Sequence, residues 1–294
     1  MSALANRDFV KMNGLGNEIV IVDLRRAPNL IAQSPIAAAE ARAAARQEPY
    51  DQLMALYPAR GKDASIAASL RIYNNDGSEA GACGNGMRCV ASLVSAETGR
   101  AVLKFETPAG IISCWREGDG RFTVDMGAPR LRWDEIPLAR EFSDTRAIEL
   151  NVPGVPGLHS PSAVSMGNPH AIFWVDDPLA YDLAGIGPKL EHDPLFPERA
   201  NITLAATPKR DRIVIRTWER GAGLTQACGS AACAAAVAAA RLDRTGRKVT
   251  VSLPGGELAI EWRESDNHVL MTGPVEFEHN GRFDAALLAG AGAV

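Results

Sequence analysis

The stretch Gly81-Ala82-Cys83-Gly84-Asn85-Gly86 recurs in altered form as Gln226-Ala227-Cys228-Gly229-Ser230-Ala231, and the two cysteines lie 145 positions apart. The flanking residues repeat as well, because Asn74 and Glu219 each lie nine positions before their cysteine. The repeat predicts a duplicated chain of two similar domains, each carrying one of these cysteines. Two copies facing each other would place two thiols on opposite sides of one cleft, an arrangement suited to removing a proton from one face of a carbon and supplying one to the other.

Strands, turns and one helix directly after the cysteine follow each other in the same order in both halves. In the first half we expect a strand–glycine turn–strand unit, an exposed helix, a strand, a helix ending at Gly99 and three strands, over 9–23, 35–48, 69–74, 86–97, 101–106, 111–115 and 121–126. In the second half the same patterns, without the exposed helix, fall at 162–176, 212–218, 230–242, 248–253, 257–263 and 268–272. The prediction is an α+β fold from an internal duplication, each domain a β-barrel-like sheet around a central helix. We expect domains at 1–128, completed by 274–294, and at 129–273.

Composition excludes several classes of protein. With 294 residues, 46% hydrophobic and 22% charged, the chain is typical of soluble globular proteins with room for two domains. A net charge of −4 without a basic stripe argues against a nucleic-acid partner. No apolar stretch reaches membrane-spanning length, and the first 25 residues lack a signal-peptide pattern, which predicts a cytoplasmic protein without a membrane partner. Five cysteines without a Cys-x-x-Cys pair favour neither a disulfide framework nor a metal site.

Cys83 and Cys228 each open a predicted helix, and that position has chemical consequences. Unpaired N–H groups and the helix dipole stabilise an anion there, which predicts a lowered thiol pKa and a place for a substrate carboxylate. Preorganised dipoles of this kind stabilise a developing carbanion. A lone cysteine is more often a small buried hydrophobe, and that interpretation is kept for Cys89, Cys114 and Cys233.

Several motifs in this order resemble the diaminopimelate epimerase family. They are Lys11-Met12 with Gly14-Leu15-Gly16-Asn17, Asn74 with Asp76-Gly77-Ser78-Glu79 and Cys83-Gly84-Asn85-Gly86, Val164-Ser165-Met166-Gly167-Asn168-Pro169-His170, Glu219-Arg220-Gly221-Ala222-Gly223 with Thr225-Gln226-Ala227-Cys228-Gly229-Ser230, and Leu253-Pro254-Gly255-Gly256. The resemblance implies a cofactor-independent homodimer of lysine and peptidoglycan-precursor synthesis. Such an enzyme interconverts LL- and meso-2,6-diaminopimelate by two-base proton transfer.

By resemblance, Cys83 and Cys228 correspond to the two catalytic bases, and His170 and Glu219 correspond to the polar groups that assist them. The substrate contacts implied are Asn17, Gln52, Asn74, Gly84, Asn85, Asn168, Asn201, Glu219, Arg220, Gly229 and Ser230, with no metal. Fixed amides, a guanidinium and a carboxylate suit a substrate with an amino-acid group at each end. Taken alone, each asparagine beside a glycine or proline would be a turn residue, and His170 an ordinary strand histidine.

The sequence departs from the family pattern in a few places. Asn13 stands where the family usually has histidine, Glu18 replaces aspartate, and Ala231 replaces glycine. The stretch 45–62 also lacks the usual glycines before Asp51-Gln52-Leu53. The altered stretch 45–62 affects the wall around the distal part of the substrate more than the chemistry, and Ala231 adds one methyl group near the second helix N-terminus.

Other functions remain open at this stage. A proline racemase or hydroxyproline epimerase uses a similar pair of cysteines, but we expect histidine and threonine where this chain has Asn85 and Ser230. A phenazine-biosynthesis isomerase shares the expected fold without the cysteines. A thiol redox or binding module would not need the asparagines, and a pyridoxal-phosphate racemase needs a lysine that none of the matched motifs places.

Overall fold

The computed structural model describes residues 2–27, 35–61, 63–152, 154–155 and 157–285. The chain divides into two compact units, Met1–Val124 with Gly273–Val294, and Asp125–Thr272. Of the tail expected to complete the first half, residues 286–294 lie outside the described residues.

The first unit is a mixed sheet with two helices. Its elements are β1 (Asp8–Asn13), β2 (Glu18–Asp23), α1 (Ala38–Gln47), β3 (Gln52–Tyr57), β4 (Ile66–Asn74), β5 (Glu79–Ala80), α2 (Gly84–Thr98), β6 (Val102–Thr107), β7 (Gly110–Arg116) and β8 (Phe122–Asp125). The pairs β2–β3 and β4–β6 are parallel, whereas β1–β2, β3–β4, β4–β5, β6–β7 and β7–β8 are antiparallel.

The second unit repeats that order element by element. It contains β9 (Ser162–Ser165), β10 (Pro169–Trp174), α3 (Leu183–Glu191), β11 (Asn201–Lys209), β12 (Arg212–Glu219), β13 (Gly223–Leu224), α4 (Gly229–Arg241), β14 (Lys248–Leu253), β15 (Gly256–Trp262) and β16 (Val269–Gly273). Again the pairs on either side of the hairpin β11–β12 are parallel, β10–β11 and β12–β14. A last strand, β17 (Glu276–Arg282), pairs antiparallel with β1 in the first unit. The predicted α+β class with an internal duplication is confirmed.

A helix lies against the sheet in each unit. Helix α2 contacts β2, β3, β6 and β7, and α4 contacts β9, β10, β11, β12, β14 and β15. Ten of the thirteen residues of α4 are buried, and its small alanine side chains let the strands pack close to the helix. Cys89, Cys114 and Cys233 are fully buried, which confirms them as core residues.

Helix α1 corrects one prediction. The sequence indicated an exposed helix, but Ala41, Ala43 and Ala44 are buried, and the Tyr50 hydroxyl donates to the Ala41 carbonyl at 2.7 Å. Alanine side chains are small enough for one face to pack against the sheet although the other face is charged. Along the residues that the structure describes, no helix combines the length and apolarity needed to cross a bilayer.

Candidate active site

The two units present their candidate residues at equivalent places in the repeated topology. Asn17 and Asn168 immediately precede β2 and β10, while Gln52 and Asn201 begin β3 and β11. Asn74 and Glu219 end β4 and β12. Each cysteine then occupies the N-cap position of the helix that follows, α2 or α4, and of the two only the Cys83 side chain accepts a capping hydrogen bond. We call these groups the first cluster, around Cys83, and the second cluster, around Cys228.

In the first cluster, the Cys83 sulfur lies between a helix N-terminus and two amide oxygens. The backbone N–H of Gly86 donates to Sγ at 3.2 Å. The thiol lies 3.5 Å from Gln52 Oε1 and 3.8 Å from Asn17 Oδ1, so the S–H can donate to either oxygen. The structure therefore brings these two predicted substrate residues to the first cysteine.

Neighbouring side chains orient both amides. Asp51 Oδ2 accepts from Asn17 Nδ2 at 2.9 Å, so the amide oxygen of Asn17 faces the sulfur. Gln52 Nε2 donates to Asn74 Oδ1 at 3.4 Å, and Asn74 Nδ2 donates to Ser78 Oγ at 2.9 Å. Asn74 thus belongs to the first cluster through Gln52.

Asn85 and Gly84 start the helix itself. Asn85 is buried, and its Oδ1 accepts from the buried guanidinium of Arg88 at 3.0 Å. The side-chain amide oxygen of Asn85 is therefore bonded within the protein, in the first turn of α2. Asn13, one of the departures from the family pattern, instead accepts from the Gly16 N–H at 2.6 Å and so shapes the β1–β2 turn.

In the second cluster, Cys228 is buried with 4% of its surface exposed. Burial raises its pKa well above the ordinary value, and the carboxylate of Glu219 raises it further. A contact of 3.5 Å to Ser230 Oγ acts in the opposite direction but is outweighed. The expectation of a lowered pKa at both helix N-termini is therefore wrong for Cys228, because burial there outweighs the helix dipole.

His170 reaches Cys228 through other side chains. Its Nε2 lies 3.0 Å from Asn168 Oδ1, and Asn168 Nδ2 donates to Ser230 Oγ at 3.4 Å. Asn168 Oδ1 can only accept, so the Nε2–H tautomer of His170 donates to it. Burial, with the nearby Arg220 charge, lowers the pKa of His170 to about 3, so the ring is neutral. Its Nδ1 is one of the buried polar atoms that lack a hydrogen-bond partner within the described chain.

Asn201 and Arg220 form the remaining part of the second cluster. Asn201 is paired in register with His170 across β10 and β11. Its Nδ2 donates to the Pro169 carbonyl at 3.1 Å, and its Oδ1 accepts from the backbone N–H of Arg220 at 3.0 Å. The Arg220 side chain donates to the Glu198 carbonyl at 2.9 Å. Gly229 is the first residue of α4, beside Ser230.

Sequence reasoning missed the carboxylates behind both clusters. In the sequence Asp51 is only the neighbour of Gln52, whereas in the structure its carboxylate accepts from Asn17 Nδ2 and, at 2.9 Å, from the Glu18 N–H. Glu191, at the end of α3, accepts from Trp218 Nε1 at 2.8 Å and carried no signal in the sequence. Within the described ranges, no three His, Cys, Asp or Glu side chains gather in a geometry suited to a metal ion.

Comparison with known proteins gives a consistent result. The sequence model described as diaminopimelate epimerase matches residues 9–132 and 162–278. A diaminopimelate epimerase of Rhodopseudomonas palustris strain TIE-1 is 64% identical, covering 99% of this chain and 98% of that protein. One from Nitrobacter hamburgensis is 62% identical, covering 98% and 99%. Among solved structures, a hydroxyproline epimerase from Agrobacterium vitis with bound trans-4-hydroxy-L-proline aligns with a TM-score of 0.67, 14% identity and coverage of 100% and 97%. At that identity the last likeness concerns the fold.

Proposed function

Because this chain belongs to the diaminopimelate epimerase family, we propose that it interconverts LL- and meso-2,6-diaminopimelate by two-base proton transfer between Cys83 and Cys228. One cysteine, as thiolate, removes the α-proton, and the C–H electron pair remains on carbon. The other, as thiol, delivers its proton to the opposite face, where that pair forms the new C–H bond. The two protonation states are then exchanged, ready for the reverse reaction.

The observation that carries the proposal is the equivalence of the two clusters. Each unit puts a cysteine at a helix N-terminus, after a β hairpin whose strand ends carry polar side chains. A carboxylate bound by the N–H groups at such a helix N-terminus would make its neighbouring carbon more acidic, because the helix dipole stabilises the developing negative charge. The reaction needs no redox partner, since the C–H electron pair stays on carbon and the proton removed from one face is replaced by a proton delivered to the other.

The remaining polar residues suit the distal amino-acid group. Arg220 offers a fixed guanidinium for a carboxylate, and Glu219 offers a carboxylate for an ammonium group. Asn74 and Asn168 are held in place by the hydrogen bonds described above. We further propose a homodimer that acts in the cytoplasm, in lysine and peptidoglycan-precursor synthesis, without a cofactor.

The experiment is α-proton exchange in D₂O, followed by NMR and by chiral analysis of the product. Diaminopimelate is compared with L-proline and trans-4-hydroxy-L-proline under the same conditions. We expect deuterium at the α-carbon of diaminopimelate alone, together with interconversion of its LL and meso forms. Exchange confined to L-proline or trans-4-hydroxy-L-proline would refute diaminopimelate as the substrate. Absence of exchange from all three compounds would favour a binding function.

A further inference from the structure

Glu191 is a buried carboxylate to which the proposed reaction assigns no role. It is the last residue of α3, and only 3% of its surface is exposed. Oε2 accepts from the indole N–H of Trp218 at 2.8 Å, and Oε1 accepts from the backbone N–H of Gly221 at 3.0 Å. The Arg199 guanidinium lies 3.4 Å from Oε1. Both oxygens therefore face hydrogen-bond donors.

Two of the donors to Glu191 flank, in sequence, two residues of the second cluster, Glu219 and Arg220. Trp218 directly precedes Glu219, and Gly221 directly follows Arg220. At this point the chain leaves β12 and turns, with Gly221 in the left-handed region at a φ of 77°. One carboxylate therefore holds a four-residue segment at its two ends, and the proposed substrate residues Glu219 and Arg220 lie between them.

The position of this carboxylate is electrostatically unfavourable in itself. The C-terminal end of α3 carries the negative end of the helix dipole, and burial removes the water that would solvate the charge. Charge-assisted hydrogen bonds to the 218–221 segment compensate, and such bonds are stronger and more directional than neutral ones. The segment is consequently held more firmly than an ordinary surface turn.

We propose that Glu191 is a positioning residue, which fixes the end of β12 and the following turn so that Glu219 lies beside Cys228 and Arg220 lies beside Asn201. The inference rests on the proposed function for its kinetic consequence, although its structural consequence at Cys228 needs no substrate. Glu191 does not contact the thiol itself and acts through the backbone of the segment that it holds.

The test compares two variants that break the same contact in different ways. Glu191→Gln replaces one oxygen by an amide NH₂, which must face either the Trp218 indole N–H or the Gly221 N–H. Trp218→Phe removes the indole donor without changing any charge. The matched control is Glu149→Gln, the same change at a glutamate that is 79% exposed and paired with Arg140 at 3.1 Å.

The first readout is the pH dependence of Cys228 alkylation by iodoacetamide, followed by peptide mass spectrometry. The groups that act on Cys228 are the Glu219 carboxylate, the Ser230 hydroxyl and the Ala231 backbone N–H. If Glu191 holds Glu219 in place, alkylation begins at lower pH in Glu191→Gln, because the carboxylate that disfavours the thiolate can withdraw. Trp218→Phe shifts the profile in the same direction by less, and the double variant shifts it no further than Glu191→Gln.

The second readout is diaminopimelate turnover, where we expect kcat/KM to fall about 10- to 100-fold in Glu191→Gln and less than twofold in Glu149→Gln. If the pH profile of Cys228 alkylation shifts in Glu191→Gln but not in Trp218→Phe, the shift follows from the lost charge alone and the positioning role is overturned. Wild-type alkylation profiles in both variants would also overturn it. If Glu191→Gln does not fold, the profile of Trp218→Phe alone tests the proposal. A wild-type protein that alkylates as described but does not turn over diaminopimelate would refute the proposed function and leave the positioning result standing.

Discussion

Gly86 is a position where one added methyl group should affect chemistry more than folding. Its N–H donates to the Cys83 sulfur at 3.2 Å from the first turn of α2. A Cβ built there would lie 2.7 Å from Met54 Sδ and 3.3 Å from Cys83 Sγ. Met54 is fully buried on β3, so it has little room to move away. Ordinary van der Waals contact begins near 3.4 Å, so we expect Gly86→Ala to displace the start of α2, and with it the thiol, by roughly 1 Å.

The two consequences differ in size. Overpacking a core contact costs about 1–3 kcal/mol, while glycine-to-alanine within a helix returns about 1 kcal/mol, so the net loss of stability is about 0–2 kcal/mol. For a protein of this size such a loss lowers Tm by no more than about 8 °C. A displacement of about 1 Å at a reacting group, by contrast, reduces kcat/KM about 100-fold.

The assay is diaminopimelate turnover beside thermal unfolding, with Gly81→Ala as the matched control. Gly81 lies on the exposed loop before Cys83, and a Cβ there meets nothing within 4 Å. We expect the control to match the wild type in both measurements. Turnover of Gly86→Ala within twofold of wild type, at an unchanged Tm, would refute the reasoning about the Met54 contact.

Three further outcomes are expected. Cys83→Ala and Cys228→Ala should each abolish epimerisation with an unchanged circular dichroism spectrum, and near-wild-type racemisation by either variant would end the two-base account. Glu219→Gln should lower the pKa of Cys228, so that its alkylation begins at lower pH; an unchanged profile would exclude a role for that charge. His170, with a folded pKa of about 3 against 6.5 in the unfolded chain, should cost about 2 kcal/mol of stability between pH 7 and pH 5, because only the unfolded chain takes up its proton there. Denaturant titrations at both pH values should show that loss in wild type and in the exposed-site control His159→Gln, but not in His170→Gln.

Local signals explain which elements were predictable. Helix α2 was expected over 86–97 and spans Gly84–Thr98, because the left-handed Gly99 ends it as the sequence indicated. Strand β3 (Gln52–Tyr57) was missed, since both of its faces are buried and its leucines, methionine and alanine show no alternation. Helix α3 was missed because it contains two glycines and Pro188, which locally argue against a helix.

The site was predictable to a similar degree. The positions of both cysteines at helix N-termini followed from the repeat, as local sequence determines a cap. The supporting contacts did not, because Asp51 reaches Asn17 across 34 positions and Glu191 reaches Trp218 across 27. Hydrogen bonds of that sequence separation depend on how strands pair, which a single sequence does not specify residue by residue.

The expected pKa of Cys228 was wrong because the helix N-terminus lowers the pKa of the thiol by less than burial and the Glu219 carboxylate raise it. A helix N-terminus favours an anion by about 0.3–1 kcal/mol at the surface and up to about 2 kcal/mol when partly buried. It acts here through the Ala231 N–H, but burial and the Glu219 carboxylate both disfavour the thiolate and together prevail. Cys228 of the free protein is therefore a thiol at neutral pH. Under the proposed function, an ammonium group bound beside Glu219 would offset the carboxylate and lower the pKa of the thiol, so that substrate binding would make Cys228 able to exchange its proton.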